Sequence, residues 1–266
     1  MTIITNYFKS REQAGQLLAE KLAKYRYEDV IVLALSEGGV VVGAEIAKSL
    51  HALIAMLLTK DVYLPDGRTL MGVVNEQGGF VYNDAFSSGE IEEFESEYHE
   101  VIQTAKFNAL HELHVALGQG GILSKEYFRN RVVICVADSA FNGLTFDIAY
   151  DFLKTVQIQK LVMVSPLATV QAVDRLHVLA DEIDILSVTE YPQDVDHYYS
   201  DTKTPEHSVI LETLNDIVLQ WQNDEKKKHA KDNPYMASVN KALKVQKPAT
   251  TKPATRQVKR SLLENS

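Results

Sequence analysis

Two short stretches hold the residue types that could do chemistry. Asp138, Ser139, Asn142, Gly143 and Thr145 follow the apolar run "VVICV", and Glu37, Gly38 and Gly39 follow the apolar run "VIVLAL". Each stretch leads into a segment with helical periodicity. A helix N-terminus presents backbone N–H groups with no partner inside the helix and the positive end of a dipole, which suits phosphate. Glycine lets a ligand approach the backbone closely, and hydroxyl, amide and carboxylate side chains add hydrogen bonds around it. Taken singly, each stretch is also ordinary turn chemistry: Gly-Gly after a strand and Asp-Ser before a helix are common.

Other candidates are weaker. His111-Glu112-Leu113-His114 places its histidines at i and i+3, whereas the zincin pattern needs i and i+4 on one helical face. It reads as the polar flank of a helix, and no side-chain cluster suggests a metal site. Cys135 is the sole cysteine and lies inside an apolar run, so it reads as a buried strand residue and excludes an intrachain disulfide. Gly118 to Gly121 lacks the Lys and Ser/Thr of a P-loop and reads as a connection.

The elements that must position these residues follow from periodicity. Ser10 with Gln13 looks like a capping box opening a helix with Ala14, Leu17, Leu18 and Leu22 on one face. Val30–Leu35, Leu53–Leu58, the run around Cys135, Leu161–Ala168 and Ile183–Val188 read as buried parallel strands. After the first strand, Ser36-Glu37-Gly38-Gly39 reads as a loop before a helix that runs to about Leu50. Helices are also expected from Glu90 to Leu117, from Gly143 to about Thr155, from Val170 to Leu179 and from Pro205 to about Gln222. Turn signals at Asp66-Gly67 and Gly78-Gly79 delimit "TLMGVV" and "FVYN" as a small antiparallel flap. Strands alternating with helices predict an α/β fold with a doubly wound, mainly parallel sheet. In such sheets ligands bind beyond the carboxyl ends of the strands, where both glycine-bearing stretches fall.

The chain of 266 residues is 45% hydrophobic with a formal charge of −9. The charge is uneven. From Lys226 onward there are eleven Lys and Arg against two acids, a surplus of nine, which leaves the preceding chain at −18. Residues 1–223 are expected to form the folded domain, and 224–266 a basic, disordered tail with too little apolar surface to order itself. The acidic body argues against nucleic-acid binding by the domain, while the tail could engage nucleic acid or an acidic protein. Neither a signal peptide nor a membrane-spanning run is read, so a reducing cytoplasm is expected.

The order of these features resembles that of the type I phosphoribosyltransferases, particularly a bacterial branch, over about Phe8 to Leu214. "VIVLALSEGGVVVGAEIAKSL" resembles the pyrophosphate-loop region, roughly ALPRGGVPVA in that branch. Thr59-Lys60 resembles its Arg-Lys pair, and "MGVVNEQGGFVYN" its flap. "VVICVADSAFNGLTF" sits where the family carries its PRPP signature, roughly VILVDDGIATGATM. "LVMVSPLATVQAVDRLHVLADEIDILSVTEYP" resembles the strand-helix-strand that follows, and "HYYSD" resembles its end.

The resemblance implies transfer of ribose 5-phosphate from PRPP to an acceptor, with Mg²⁺ helping to hold pyrophosphate. It implies a 5-phosphate loop of Ser139, Asn142, Gly143 and Thr145, a catalytic acid at Asp138, and a pyrophosphate loop of Glu37, Gly38 and Gly39 assisted by Lys60. Acceptor contacts at Tyr198 and Tyr199, in a hood, are implied as well, and a homo-oligomer fits. The chain departs from the pattern at named positions. Ala137 replaces the first acid of the pair, Asn142 the loop threonine, Phe141 a small residue, and Glu37 the pyrophosphate-loop arginine. A carboxylate at roughly 4 Å from a pyrophosphate charge costs about 4 kcal/mol per unit charge at an effective dielectric of about 20. With the arginine contact also lost, weak PRPP binding is expected. Three functions remain open on the sequence: a working transferase, a non-catalytic sensor of a phosphorylated ligand, and a scaffold.

Overall fold

The computed structural model describes residues 8–117, 123–203, 205–206 and 209–210. The Gly118–Gly121 connection, most of the helix expected after Pro205 and the tail 224–266 lie outside the described residues.

Helix α1 (Arg11–Lys21) is capped by Ser10, whose hydroxyl accepts from Gln13 N at 3.3 Å. Gln13 Oε1 accepts in turn from Lys9 N at 2.8 Å, so the reciprocal bond falls one residue before the cap. Ala14, Leu18 and Leu22 are buried, but Leu17 is 39% exposed and belongs to the outer flank. Strand β1 (Val30–Ala34), helix α2 (Glu37–Leu50) and strand β2 (Leu53–Met56) make the first parallel crossover.

A three-stranded antiparallel flap follows: β3 (Thr59–Tyr63), β4 (Leu70–Asn75) and β5 (Phe80–Tyr82). The sequence pointed to the last two strands only. Lys60 therefore sits in an outer flap strand, opposite Val74. The single helix expected over Glu90–Leu117 is two helices, α3 (Ser88–Glu97) and α4 (His99–Leu117). Tyr98 leaves helical geometry at φ −116° and ψ 23°. Phe94, Tyr98 and Ile102 all pack against Leu64 and Met71 of the flap, so the apolar spacing runs unbroken across the joint. The break is set by packing on the flap, which a periodicity reading does not see.

The second half adds β6 (Val132–Val136), α5 (Leu144–Leu153), β7 (Lys160–Thr169), α6 (Val170–Leu179) and β8 (Glu182–Thr189). The main sheet is all parallel in the order β2-β1-β6-β7-β8. Alternate residues serve two cores. Val30, Val32, Ala34, Ile134 and Val136 meet residues of α1 and α2 on one face. Ile31, Leu33, Val133 and Cys135 meet Phe146, Phe152 and Leu176 on the other. This is the doubly wound arrangement the strand and helix alternation predicts. The β1 crossover leads outward to β2, and the β6 crossover leads the opposite way to β7. The order thus reverses between β1 and β6, and a crevice opens at their carboxyl ends.

Candidate functional site

The two glycine-bearing stretches meet at this crevice, because Ala34 pairs with Val136 across the sheet and Leu35 N donates to Val136 O at 2.9 Å. They are built differently. After β1 there is almost no loop. Ser36 caps α2 directly, its hydroxyl accepting from Gly39 N at 2.8 Å, so Glu37, Gly38 and Gly39 form the first helical turn. The loop expected over Ser36–Gly39 is replaced by a capped helix start, because serine is a strong N-cap and satisfies a donor that a loop would leave open.

The glycines of this turn are required by the protein itself. A Cβ on Gly38 would overlap the Asp138 carboxylate and lie 2.9 Å from Arg11 Nε, and one on Gly39 would lie 2.8 Å from Val136 O. Asp138 is held there from two sides: Arg11 Nε bonds its Oδ2 at 2.9 Å, and Ser36 Oγ donates to its Oδ1 at 3.0 Å.

After β6 there is a true loop, 137–143. Gly143 caps α5 in the left-handed region at φ 73°, a conformation that favours glycine. Asn142 Oδ1 accepts from Leu144 N at 3.1 Å, and Ala140 N donates to Leu167 O at 2.7 Å. Thr169 Oγ1 donates to Phe141 O at 2.8 Å, which braces the loop against β7. Among the described residues, no protein acceptor takes the N–H of Ser139, Phe141, Asn142 or Gly143. Thr145 stands in the first turn of α5, half-buried. The arrangement leaves the backbone donors of Ser139, Phe141, Asn142 and Gly143 open beside a helix N-terminus at the switch point, and such donors suit an anion.

Arg11 joins the far side of the crevice. It is 4% exposed, and besides Asp138 it bonds Asp196 Oδ1 at 2.9 Å and Thr202 O at 3.4 Å. Burial disfavours its charge, but the bonds to Asp196 and Asp138 outweigh that and raise its pKa. Its guanidinium lies 4.6 Å from the Tyr199 ring centre. Tyr199 donates to Asp138 O at 2.9 Å, and burial, with the Asp138 charge, raises its phenol pKa. Tyr198 and Tyr199 are each 3% exposed and pack with Phe8, Phe141 and Leu167. They line the crevice from within the core and show little surface to an acceptor. Phe8 N donates to Tyr198 O, and Ser200 N to Phe8 O, at 2.9 Å each, so the segment before α1 ties this hood down.

Lys60 is not brought into the crevice. It pairs with Glu112 of α4 at 2.9 Å, half-exposed. Ala137 is buried and apolar at the crevice floor. His114 Nε2 lies 2.9 Å from Glu76 O, and His111 stacks beside Phe107. Cys135 is fully buried, and burial pushes its thiol pKa up.

Three residues that tie the site together gave little sign in the sequence: Arg11, Arg175 and Glu76. A cation in the first helical position opposes the helix dipole, and that was the one local hint that Arg11 has a distant partner. Arg175 crosses the face of Gly143, whose Cβ would meet its Cδ at 3.0 Å. It pairs with Asp84 beyond the flap, and its Nε lies 2.6 Å from Asp147 Oδ2, out of line for a hydrogen bond. Burial pushes the Asp147 carboxyl up to about 7. Glu76 is 1% exposed and accepts from Leu58 N at 3.2 Å and Leu123 N at 2.6 Å, anchoring the flap. Burial raises its pKa, and the two N–H bonds temper the rise.

Fold and site together define a doubly wound α/β protein with a loop of open backbone donors at its switch point. No family model matches the chain. A protein carried by two strains of Mycobacterium tuberculosis, named provisionally as a phosphoribosyl transferase, is 27% identical over 181 residues. The match takes in 68% of this chain and 40% of that protein, so the chain spans less than half of the mycobacterial relative's length. The crystal structure of TT1426 from Thermus thermophilus is 25% identical with a TM-score of 0.60, covering 81% of this chain and 99% of that one. In sequence the chain is thus similar to a protein named provisionally as a phosphoribosyl transferase, and in sequence and fold to TT1426. Among the described residues, no helix is long and apolar enough to cross a membrane.

Proposed function

We propose that this chain binds a phosphorylated ribose, as a sugar phosphate or as part of a nucleotide. The 5-phosphate would seat on the N–H groups of Ser139, Phe141, Asn142 and Gly143 and on Thr145, with the ribose hydroxyls toward Asp138. The observation that carries this reading is the run of backbone donors open at the start of α5. The name of the mycobacterial relative and the fold support it. Asn142 and Ser139 would supply the side-chain hydrogen bonds that a threonine and a glycine frame in the family pattern. Phosphoribosyl transfer is the reaction the family would run here. Mg²⁺ would be held through pyrophosphate oxygens rather than by a side-chain cage, because the Asp138 oxygens are engaged by Arg11 and Ser36.

A second reading, ligand sensing without transfer, is favoured by one specific feature: the position of the first acid is the buried Ala137, and Asp138 is already ion-paired. Calorimetry of the full chain with ribose 5-phosphate, PRPP, pyrophosphate and nucleoside monophosphates, with and without Mg²⁺, tests both. Binding of a phosphorylated ribose is expected, lost in Gly143→Val. No heat with any of them at millimolar concentration sinks the first reading. Release of pyrophosphate from PRPP in the presence of bases sinks the second. A reducing cytoplasmic setting belongs to the same proposal. So does docking of an acidic partner by the basic stretch that begins at Lys226, which would weaken steeply with salt.

A further inference from the structure

Arg175 borders the open loop at the start of α5 without taking part in it. It leaves the middle of α6 and crosses the face of Gly143, where a Cβ would lie 3.0 Å from its Cδ and 3.9 Å from its Nε. A guanidinium carries five N–H donors in a planar fork, and here the fork is poorly served. Nη1 pairs with the exposed Asp84, just after flap strand β5. Nε is buried and lies 2.6 Å from Asp147 Oδ2 but out of line, so both atoms lack a hydrogen-bond partner among the described residues. Nη2 meets no protein acceptor among them. Asp147 is fixed one helical turn from the loop, its N–H donating to Gly143 O at 3.1 Å, and its side chain is 9% exposed. Burial raises the Asp147 carboxyl and lowers the Arg175 guanidinium, so their contact does not make up for lost water. Buried polar atoms left unpaired are costly, and this pair stands beside backbone donors that also lack an acceptor.

We propose that Arg175 is a binding residue for the phosphate on the α5 loop, held in reserve by Asp84 and anchored by Asp147 once the phosphate is seated. The inference rests on the reading above that a phosphate seats on this loop. The loop backbone offers neutral N–H groups only. Arg175 adds a cation whose fork suits pairs of phosphate oxygens. Turned away from Asp84, the guanidinium can bring Nε into line with Asp147 Oδ2 and its terminal nitrogens beside the Gly143 N–H. That one movement gives partners to both unpaired atoms. Asp84 is the resident competitor. A phosphate monoester carries more charge and more acceptor oxygens than a carboxylate, and an exposed carboxylate loses little on returning to water. The ligand class is a terminal phosphate monoester, ribose 5-phosphate included, and an unphosphorylated ribose leaves Arg175 on Asp84.

Calorimetry of ribose 5-phosphate on the full chain is the test, with urea denaturation as the check on folding. Arg175→Met is expected to weaken binding by about tenfold or more. Asp84→Asn removes the competitor and should tighten binding by about threefold or more, because a larger share of the chain then holds Arg175 free. Opposite shifts from the two partners of one ion pair are the signature. A bridge with a structural role alone would move both variants the same way or leave the affinity unchanged. An unchanged affinity in folded Arg175→Met overturns the proposal, as does Asp84→Asn without tighter binding. If Arg175→Met does not fold because Asp147 is left buried, Arg175→Met with Asp147→Asn removes both groups and makes the same prediction. If the unaltered chain binds no phosphorylated ribose, the sugar reading has failed by itself, and inorganic phosphate decides for Arg175. Phosphate binding by Asp84→Asn that is lost when Arg175→Met is added supports the proposal. No binding, or binding that the second change leaves intact, overturns it.

Discussion

The starts of α2 and α5 occupy near-equivalent places, each just past a central strand, with Ala34 and Val136 in register beside them. Each has glycine in or just before its first turn. Yet at one a serine cap takes the Gly39 N–H and a carboxylate from the other loop lies against Gly38, while at the other the N–H groups of Ser139, Phe141, Asn142 and Gly143 meet no protein acceptor among the described residues. The difference teaches that a helix N-terminus is a binding site only if nothing in the protein takes its N–H groups first. The glycines of α2 make room for Asp138. Gly143 provides a left-handed cap.

The comparison can be broken most forcefully at Arg11. Arg11→Met leaves Asp138 and Asp196 without their cation and is expected to cost about 3 kcal/mol, since removing one partner of a buried pair strands the other. Urea denaturation measures it, and a loss below about 0.5 kcal/mol would mean that Asp138 is not pinned. Next come the glycines. Gly38→Ala must push the Asp138 carboxylate aside and should cost about 2 kcal/mol, as overpacking does. Gly143→Ala meets only the flexible Arg175 side chain and a left-handed backbone, and should cost about 1 kcal/mol. The reverse order, read from the same denaturation curves, would show that the space over Gly38 is not filled.

The last effect is confined to a pH window and concerns the brace behind the open loop. Burial raises the Asp147 carboxyl to about 7 in the folded protein, above its ordinary value near 4. The native state therefore holds a proton there that the unfolded chain releases. Stability from this group is full below pH ~4, falls as pH rises toward ~7, and is flat above. At about 1.4 kcal/mol per pKa unit the fall is on the order of a few kcal/mol. Asp147→Asn should flatten the curve in that window when denaturation is repeated from pH 4 to 8, and an unchanged slope would assign it to another group.

The sequence by itself determined the five strands of the main sheet, the doubly wound class and both glycine-bearing stretches. Those are local properties: "VIVLAL" and "VVICV" are too apolar for any place but a sheet buried on both faces, and each is followed by glycine and a segment of helical periodicity. It did not determine that Glu90–Leu117 breaks at Tyr98, because the apolar spacing is continuous there and only the flap beneath it turns the chain. Nor did it place Lys60 opposite Glu112, away from the crevice. Only the tertiary structure decided what lies over the start of α2. That depends on Arg11 reaching 127 positions along the chain to hold Asp138 over Gly38. A contact at such a distance leaves no periodicity in the sequence, since its strength comes from burial and charge once the fold has brought the two side chains together.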